Sequence, residues 1–162
     1  MDAPVFTQEE NEPVVIVDRL EGAAARKREE DLLVLPYDRR QKTRQRVRLK
    51  SGREAGLLLP RGTILRDGDL LTSENGLRFR VVAAREEVSI AMTHDRLLLA
   101  RIAYHLGNRH VAVQVAEDSL IYRHDHVLDD MVRGLGASVS VAMQPFEPEE
   151  GAYHGTGHSH SH

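Results

Sequence analysis

Residues 103–130 read AYHLGNRHVAVQVAEDSLIYRHDHVLDD, and the changes of pattern along them decide how the second half of the chain folds. Leu97, Leu98, Ile102 and Leu106 recur at helical spacing, and the run stops at Gly107-Asn108, residue types that close helices in a left-handed conformation. His110 follows that stop, at the surface. Val111, Val113 and Val115 then alternate as a strand does, with one face covered and one open. After a turn at Glu117-Asp118, Leu120-Ile121-Tyr122 form another strand that runs into His124-Asp125-His126. Asp125 is placed to cap a second helix, because a carboxylate there accepts from the free N–H groups of the first turn.

Working outward, Val88, Ile90 and Met92 alternate with polar or small residues, and Thr93 can cap a helix over His94 to Leu106. The second helix, about His126 to Leu135, buries Val127, Leu128, Met131, Val132 and Leu135 and ends at Gly134-Leu135-Gly136. Val139, Val141 and Met143 form a last alternating strand closed by Pro145. The order β-α-β-β-α-β over residues 85–147 is the split pattern of the ferredoxin-like fold. Residues 148–162 are rich in Glu, Gly, Ser and His with nothing apolar to bury, so this tail is expected to be disordered without a ligand.

Residues 1–84 read as a small all-β module, which makes the expected fold class α+β. Met1 to about Glu12 looks disordered. Val14 to Leu20 is β-branched, and Glu21 to Asp31 is a charged loop or short helix. Leu32 to Leu35 is a buried strand stopped by Pro36. The basic run Arg39 to Arg46 reads as a solvated strand face or loop, with an acidic partner as the sharper alternative. Val47 and Leu49 alternate with Arg48 and Lys50, and Ser51-Gly52 turns the chain into Ala55 to Leu59. Asn75-Gly76 is a strong hairpin dipeptide ahead of a strand over Phe79 to Ala84.

Composition narrows the function. The net charge of −3 gives no electrostatic support for binding nucleic acid. No apolar run approaches the roughly 18 residues that span a bilayer. The acidic N-terminus lacks the basic and apolar regions of a signal peptide, so the expected compartment is the cytoplasm. The chain has no cysteine, so a metal would be held by nitrogen and oxygen, a donor set suited to Ni(II), Cu(II), Zn(II) or Co(II).

Four of the nine histidines lie in the opening stretch and four in the tail. Neutral imidazole is the commonest protein ligand for such ions. His94, at a helix start, fits a cap or surface role. His105, in a last helical turn, fits a structural role or a ligand. His124 and His126 flank a strand-to-helix turn, so both rings can reach one ion or both can be structural. His110 alone would hold an ion poorly, but a two-fold axis would duplicate it. His154, His158, His160 and His162 are spaced by Gly, Ser and Thr, a flexible chelating pattern unlike the consecutive histidines of an engineered tag. The chain carries no P-loop, G-x-S-x-G or H-E-x-x-H, which argues against an enzyme.

The runs LPRGTILRDGDLL (Leu59 to Leu71), AYHLGNRH (Ala103 to His110) and YRHDHVLDDMVRGLG (Tyr122 to Gly136), with the His-bearing tail, resemble the urease accessory nickel chaperones, the UreE family. The resemblance covers nearly the whole chain in order. It implies a homodimer with an N-terminal domain for protein contacts and a metal domain through which the dimer forms. It implies Ni(II) as cargo, held by His110 from each subunit, a secondary site at His124 and His126, and further ligands among the tail histidines. The implied partners are the urease accessory GTPase and, through it, the apo-urease activation complex. By the Irving–Williams order Cu(II) should bind such a site more tightly than Ni(II), with Zn(II) and Co(II) competing. The alternative is a metal store or sensor with no delivery step.

Overall fold

In the first half of the chain, strands with alternating side chains leave one face apolar, and that face makes the core. The structure is a computed structural model describing residues 14–20 and 31–151. It divides into two units between Ala83 and Ala84. The N-terminal stretch before Glu12, the connection from Glu21 to Glu30 and the four tail histidines lie outside the described residues.

The first unit contains β1 (Val14–Leu20), β2 (Asp31–Leu35), α1 (Tyr37–Arg40), β3 (Arg44–Arg48), β4 (Glu54–Leu58), β5 (Leu70–Ser73) and β6 (Arg78–Ala83). They form one mixed sheet in the order β2-β6-β5-β1-β4-β3. β1 lies parallel to β4 and β2 to β6, while the other neighbours are antiparallel. Val47, Ala55, Leu57, Phe79 and Val81 point to one side at period two and bury together with Ile16, Leu33, Leu65 and Leu71. The Asn75-Gly76 turn forms as expected, with Gly76 at φ 80°.

The basic run is not uniformly solvated. Arg40 is fully buried. Its guanidinium lies 5.5 Å from the Tyr37 ring centroid and donates to Leu65 O at 3.1 Å. The Leu65 N–H returns a bond to Arg40 O at 3.0 Å. An internal cation of this kind is stable only where carbonyls and an aromatic face replace water.

The second unit runs β7 (Arg85–Met92), α2 (Arg96–Gly107), β8 (Val113–Val115), β9 (Ser119–Arg123), α3 (His126–Leu135) and β10 (Ser138–Pro145). Its sheet is antiparallel throughout, in the order β10-β7-β9-β8. Both helices pack on the face that carries Ala91, Leu120 and Tyr122, where Ile102, Leu106 and Val132 complete the core. The expected inward faces need three corrections. On β7 it is Ser89 and Ala91, not Ile90 and Met92, that share the helix side. On α3, Val127 is 63% exposed and Asp129 is buried in its stead. On β10, Val141 and Met143 are exposed, and only Val139 joins the core, although α3 packs against this edge strand.

After β10 the chain crosses the sheet. Phe146 and Pro148 are buried. The Glu147 N–H donates to Gln114 Oε1 at 2.9 Å, and the Glu149 N–H donates to Val113 O at 2.8 Å. Because β8 is the edge opposite β10, the segment spans the sheet on the side away from the helices. That accounts for the burial of Val88 and Ile121 there, and it covers an otherwise open edge. Among the described residues no helix is long and apolar enough to cross a membrane.

Candidate metal centre

α2 brings His110 to the surface. Its start is fixed by Asp95, whose side chain accepts from the N–H groups of Leu97 at 2.9 Å and Leu98 at 3.2 Å. Thr93, the expected cap, instead accepts from Asp95 N at 3.1 Å, and His94 stands outside the helix with Nδ1 3.2 Å from Asp118 Oδ2. The far end closes with paired bonds, His110 N–H to Gly107 O at 2.9 Å and Val111 N–H to Leu106 O at 3.2 Å. In this closure the residue before the last donor takes the left-handed conformation, a place usually given to glycine. Here it is His110, at φ 54°, the sole non-glycine residue with positive φ among those described. The expected left-handed pair Gly107-Asn108 stays right-handed, with Asn108 at φ −61°. Val111 packs against the core, and this apolar anchor fixes the register that puts the strained position on His110. A side chain there costs roughly 1–2 kcal/mol relative to a right-handed residue, and the imidazole it carries is exposed.

The second histidine cluster lies where β9 passes into α3. Asp125 caps α3 as expected, accepting from Val127 N at 2.8 Å and Leu128 N at 3.2 Å, and Gly136 closes it at φ 112°. His124 and His126 therefore flank the cap residue. Their surroundings differ. His126 begins the helix and is exposed. The His124 side chain is 33% exposed. Its Nδ1 lies 3.0 Å from Ser89 Oγ in hydrogen-bonding geometry and 3.3 Å from Asp129 Oδ2.

Asp129 is 1% exposed. It accepts from the Tyr122 hydroxyl at 2.8 Å, with the Arg133 guanidinium 3.9 Å from its other oxygen. Burial, followed by the hydrogen bond to Asp129, pushes the Tyr122 phenol far above its ordinary range, while a hydrogen bond from Ser89 and the charge of Arg133 act in the opposite sense. Tyr122 is accordingly a neutral donor. Ser89, Tyr122 and Asp129 escaped the sequence reading. The available signal was a serine and an aspartate on faces otherwise apolar: Ser89 beside Ala91, and Asp129 beside Leu128 and Val132.

The structure thus puts His110 at the end of α2 and His124 and His126 at the β9–α3 junction. Among the described residues of one chain, no three His, Asp or Glu side chains converge on a common point. His154, His158, His160 and His162 lie outside the described residues. His105 is half-buried, with its ring edge-on to Tyr104 at 5.5 Å.

Comparison with known proteins identifies the family of both units. Residues 16–84 match the family model for the UreE urease accessory protein, N-terminal domain, and residues 86–162 that for its C-terminal domain. The urease accessory protein UreE of Escherichia coli O157:H7 is 53% identical over 131 residues, covering 80% of this chain and 85% of that protein. UreE of Proteus mirabilis (strain HI4320) is 54% identical over 124 residues, covering 76% and 77%. UreE of Vibrio parahaemolyticus is 55% identical over 138 residues, covering 83% and 87%.

Proposed function

Because the chain belongs to the UreE family of urease accessory proteins, we propose that it is a nickel metallochaperone, an accessory protein and not an enzyme, which binds Ni(II) and delivers it for assembly of urease. The observation that carries the reading is His110, an exposed imidazole held in a left-handed conformation at a helix end. Strain of that kind persists where it is useful, and here it projects a ligand.

One imidazole cannot hold an ion firmly, so the central site is assigned to two chains, each giving His110 across a two-fold axis. Leu97 and Tyr104, 61% and 66% exposed, are seven residues apart on α2 and share a face. An apolar stripe on the helix that ends at His110 supports a homodimer formed through this unit. The strand order β10-β7-β9-β8 with both helices on one face supports the ferredoxin-like description of residues 85–147, with residues 1–84 as the domain for protein contacts.

His124 and His126 are assigned a second, weaker site within each chain. The tail histidines His154, His158, His160 and His162 supply further ligands. Glu149 is bonded to Val113, so the tail leaves the unit beside β8, within about 10 Å of chain from His110. His154 follows Glu149 by about five links, a reach of at most about 18 Å. Tail imidazoles are therefore tethered near the central ion at an effective concentration of order millimolar. An ion held only by imidazoles is easily handed on, because a partner can displace tail ligands one at a time. Cu(II), Zn(II) and Co(II) compete at such a site, so delivery of nickel depends on supply and on the partner, assigned as the urease accessory GTPase of the cytoplasm acting on the apo-urease complex.

The test is nickel transfer from the loaded full-length chain to the purified accessory GTPase, measured against free nickel at the same activity. Transfer through a protein complex is expected to outpace free nickel. Equal rates would reduce the protein to a metal store.

A further inference from the structure

His124 and His126 are equivalent in sequence but not in structure, because a line of hydrogen bonds leads from His124 into the core. It begins at His124 Nδ1, 3.0 Å from Ser89 Oγ. The same Nδ1 lies 3.3 Å from Asp129 Oδ2, and the line ends at this carboxylate, whose Oδ1 accepts from the Tyr122 hydroxyl at 2.8 Å. The direction of such a line is set by its terminus. A carboxylate accepts and does not donate, and the Arg133 guanidinium stands 3.9 Å from Asp129 Oδ2. The Tyr122 hydroxyl must then point at Asp129 Oδ1, which leaves Oδ2 to accept from His124. The Ser89 hydroxyl, 3.0 Å from the same ring nitrogen, can accept from it at a lone pair. His124 Nδ1 must therefore carry the proton. The opposite tautomer would also set a bare nitrogen lone pair against Asp129 Oδ2, only 3.3 Å away.

We propose that Ser89, Tyr122 and Asp129 are positioning residues that hold His124 as the Nδ1–H tautomer, keep its ring still and leave Nε2 as a ready metal donor, so that His124 leads and His126 follows at the second site. This inference rests on the assignment of His124 as a ligand. Outer-shell carboxylates that fix a ligand imidazole in this way act by removing the cost of choosing a tautomer and a ring orientation at the moment of binding. His126 has no such partner among the described residues. It stands at the helix start, and its ring must be ordered as the ion binds. Free imidazoles of histidine favour the proton on Nε2, so His126 is an internal control.

Long-range proton–nitrogen NMR of the full-length, metal-free chain in mildly alkaline buffer reads each tautomer directly. His124 should show a protonated Nδ1 and a bare Nε2, and His126 the reverse preference. A protonated Nε2 on His124 would overturn the proposal. Asp129→Asn keeps the shape of the terminus but gives it a donor, so the line can reverse. His124 should then shift towards Nε2–H, and zinc, used as a diamagnetic probe, should bind the junction about 10–100-fold more weakly. Ser89→Ala, which leaves Asp129 and Tyr122 bonded, should move the tautomer in the same direction should the first variant fail to fold. An unchanged tautomer in a folded variant would overturn the relay. If the tautomer is as expected but zinc leaves Nε2 of His124 unshifted, the ligand assignment fails, an outcome distinct from failure of the relay because the relay is read before metal is added.

Discussion

The end of α2 and the junction of β9 with α3 both present histidine at the surface, but they are built in opposite ways. At His110 the strain is in the backbone, at φ 54°, and the imidazole is exposed. At His124 the backbone enters an ordinary helix cap, and the ring is held by Ser89 beside a buried carboxylate. The first arrangement projects an imidazole outward, and in the proposed role its site is completed by groups from elsewhere. The second orders its ligand from inside its own fold. In the proposed role a carrier would gain from the difference: a shared site would open when its partners move, whereas a site organised within one chain could hold metal without them.

Removing the internal support should have the largest effect. Asp129→Ala strands the buried Tyr122 hydroxyl, removes one of the two carboxylates beside Arg133 and opens a cavity. Leaving a buried donor unpaired costs about 1–3 kcal/mol, read as a matching fall in the stability of the second unit. Asp125→Ala, which removes only the cap of α3, should cost about 1 kcal/mol. If the two cost the same, Asp129 is not the anchor described.

The opposite sign is expected at His110. His110→Gly relieves the left-handed strain and should stabilise the fold by about 1 kcal/mol, raising Tm by roughly 4–8 °C, even though the ligand is gone. A loss of stability would mean that the imidazole makes contacts that offset its backbone. The smallest effect belongs to the tail. Deleting Gly151 to His162 should leave Tm unchanged and weaken the tightest nickel site by about tenfold, as expected when tethered ligands at millimolar effective concentration are lost. Unchanged affinity, with fewer ions bound in total, would make the tail a separate reservoir.

Much of this could be read locally. The alternation of Val47 and Leu49 with Arg48 and Lys50 marked an inward face of the first sheet, and Asp125 and Gly136 marked both ends of α3, because those signals act within a few residues. What escaped depends on distant partners. Arg40 sits in a basic run, and nothing nearby shows that the Leu65 carbonyl, 25 residues on, replaces its water. Gly107 is the better left-handed residue by type, yet the packing of Val111 moves that conformation to His110. Asp129 looks like a surface charge on α3 until Tyr122 and His124 are brought beside it by β9. The crossing of residues 146–149 beneath the sheet, which sets the root of the tail beside β8, had no local mark beyond Phe146 and Pro148.

The most direct test of the account is calorimetric titration with Ni(II) of the full-length chain, the His110→Ala variant and the His124→Ala/His126→Ala double variant, with oligomeric state measured alongside. The account predicts that His110→Ala loses the tightest class of site, shared between two chains, while the dimer persists and the weaker ions remain. The double variant should lose the weaker ions and keep the tight one. Tight binding that survives His110→Ala, at a stoichiometry of one ion shared by two chains, would contradict it.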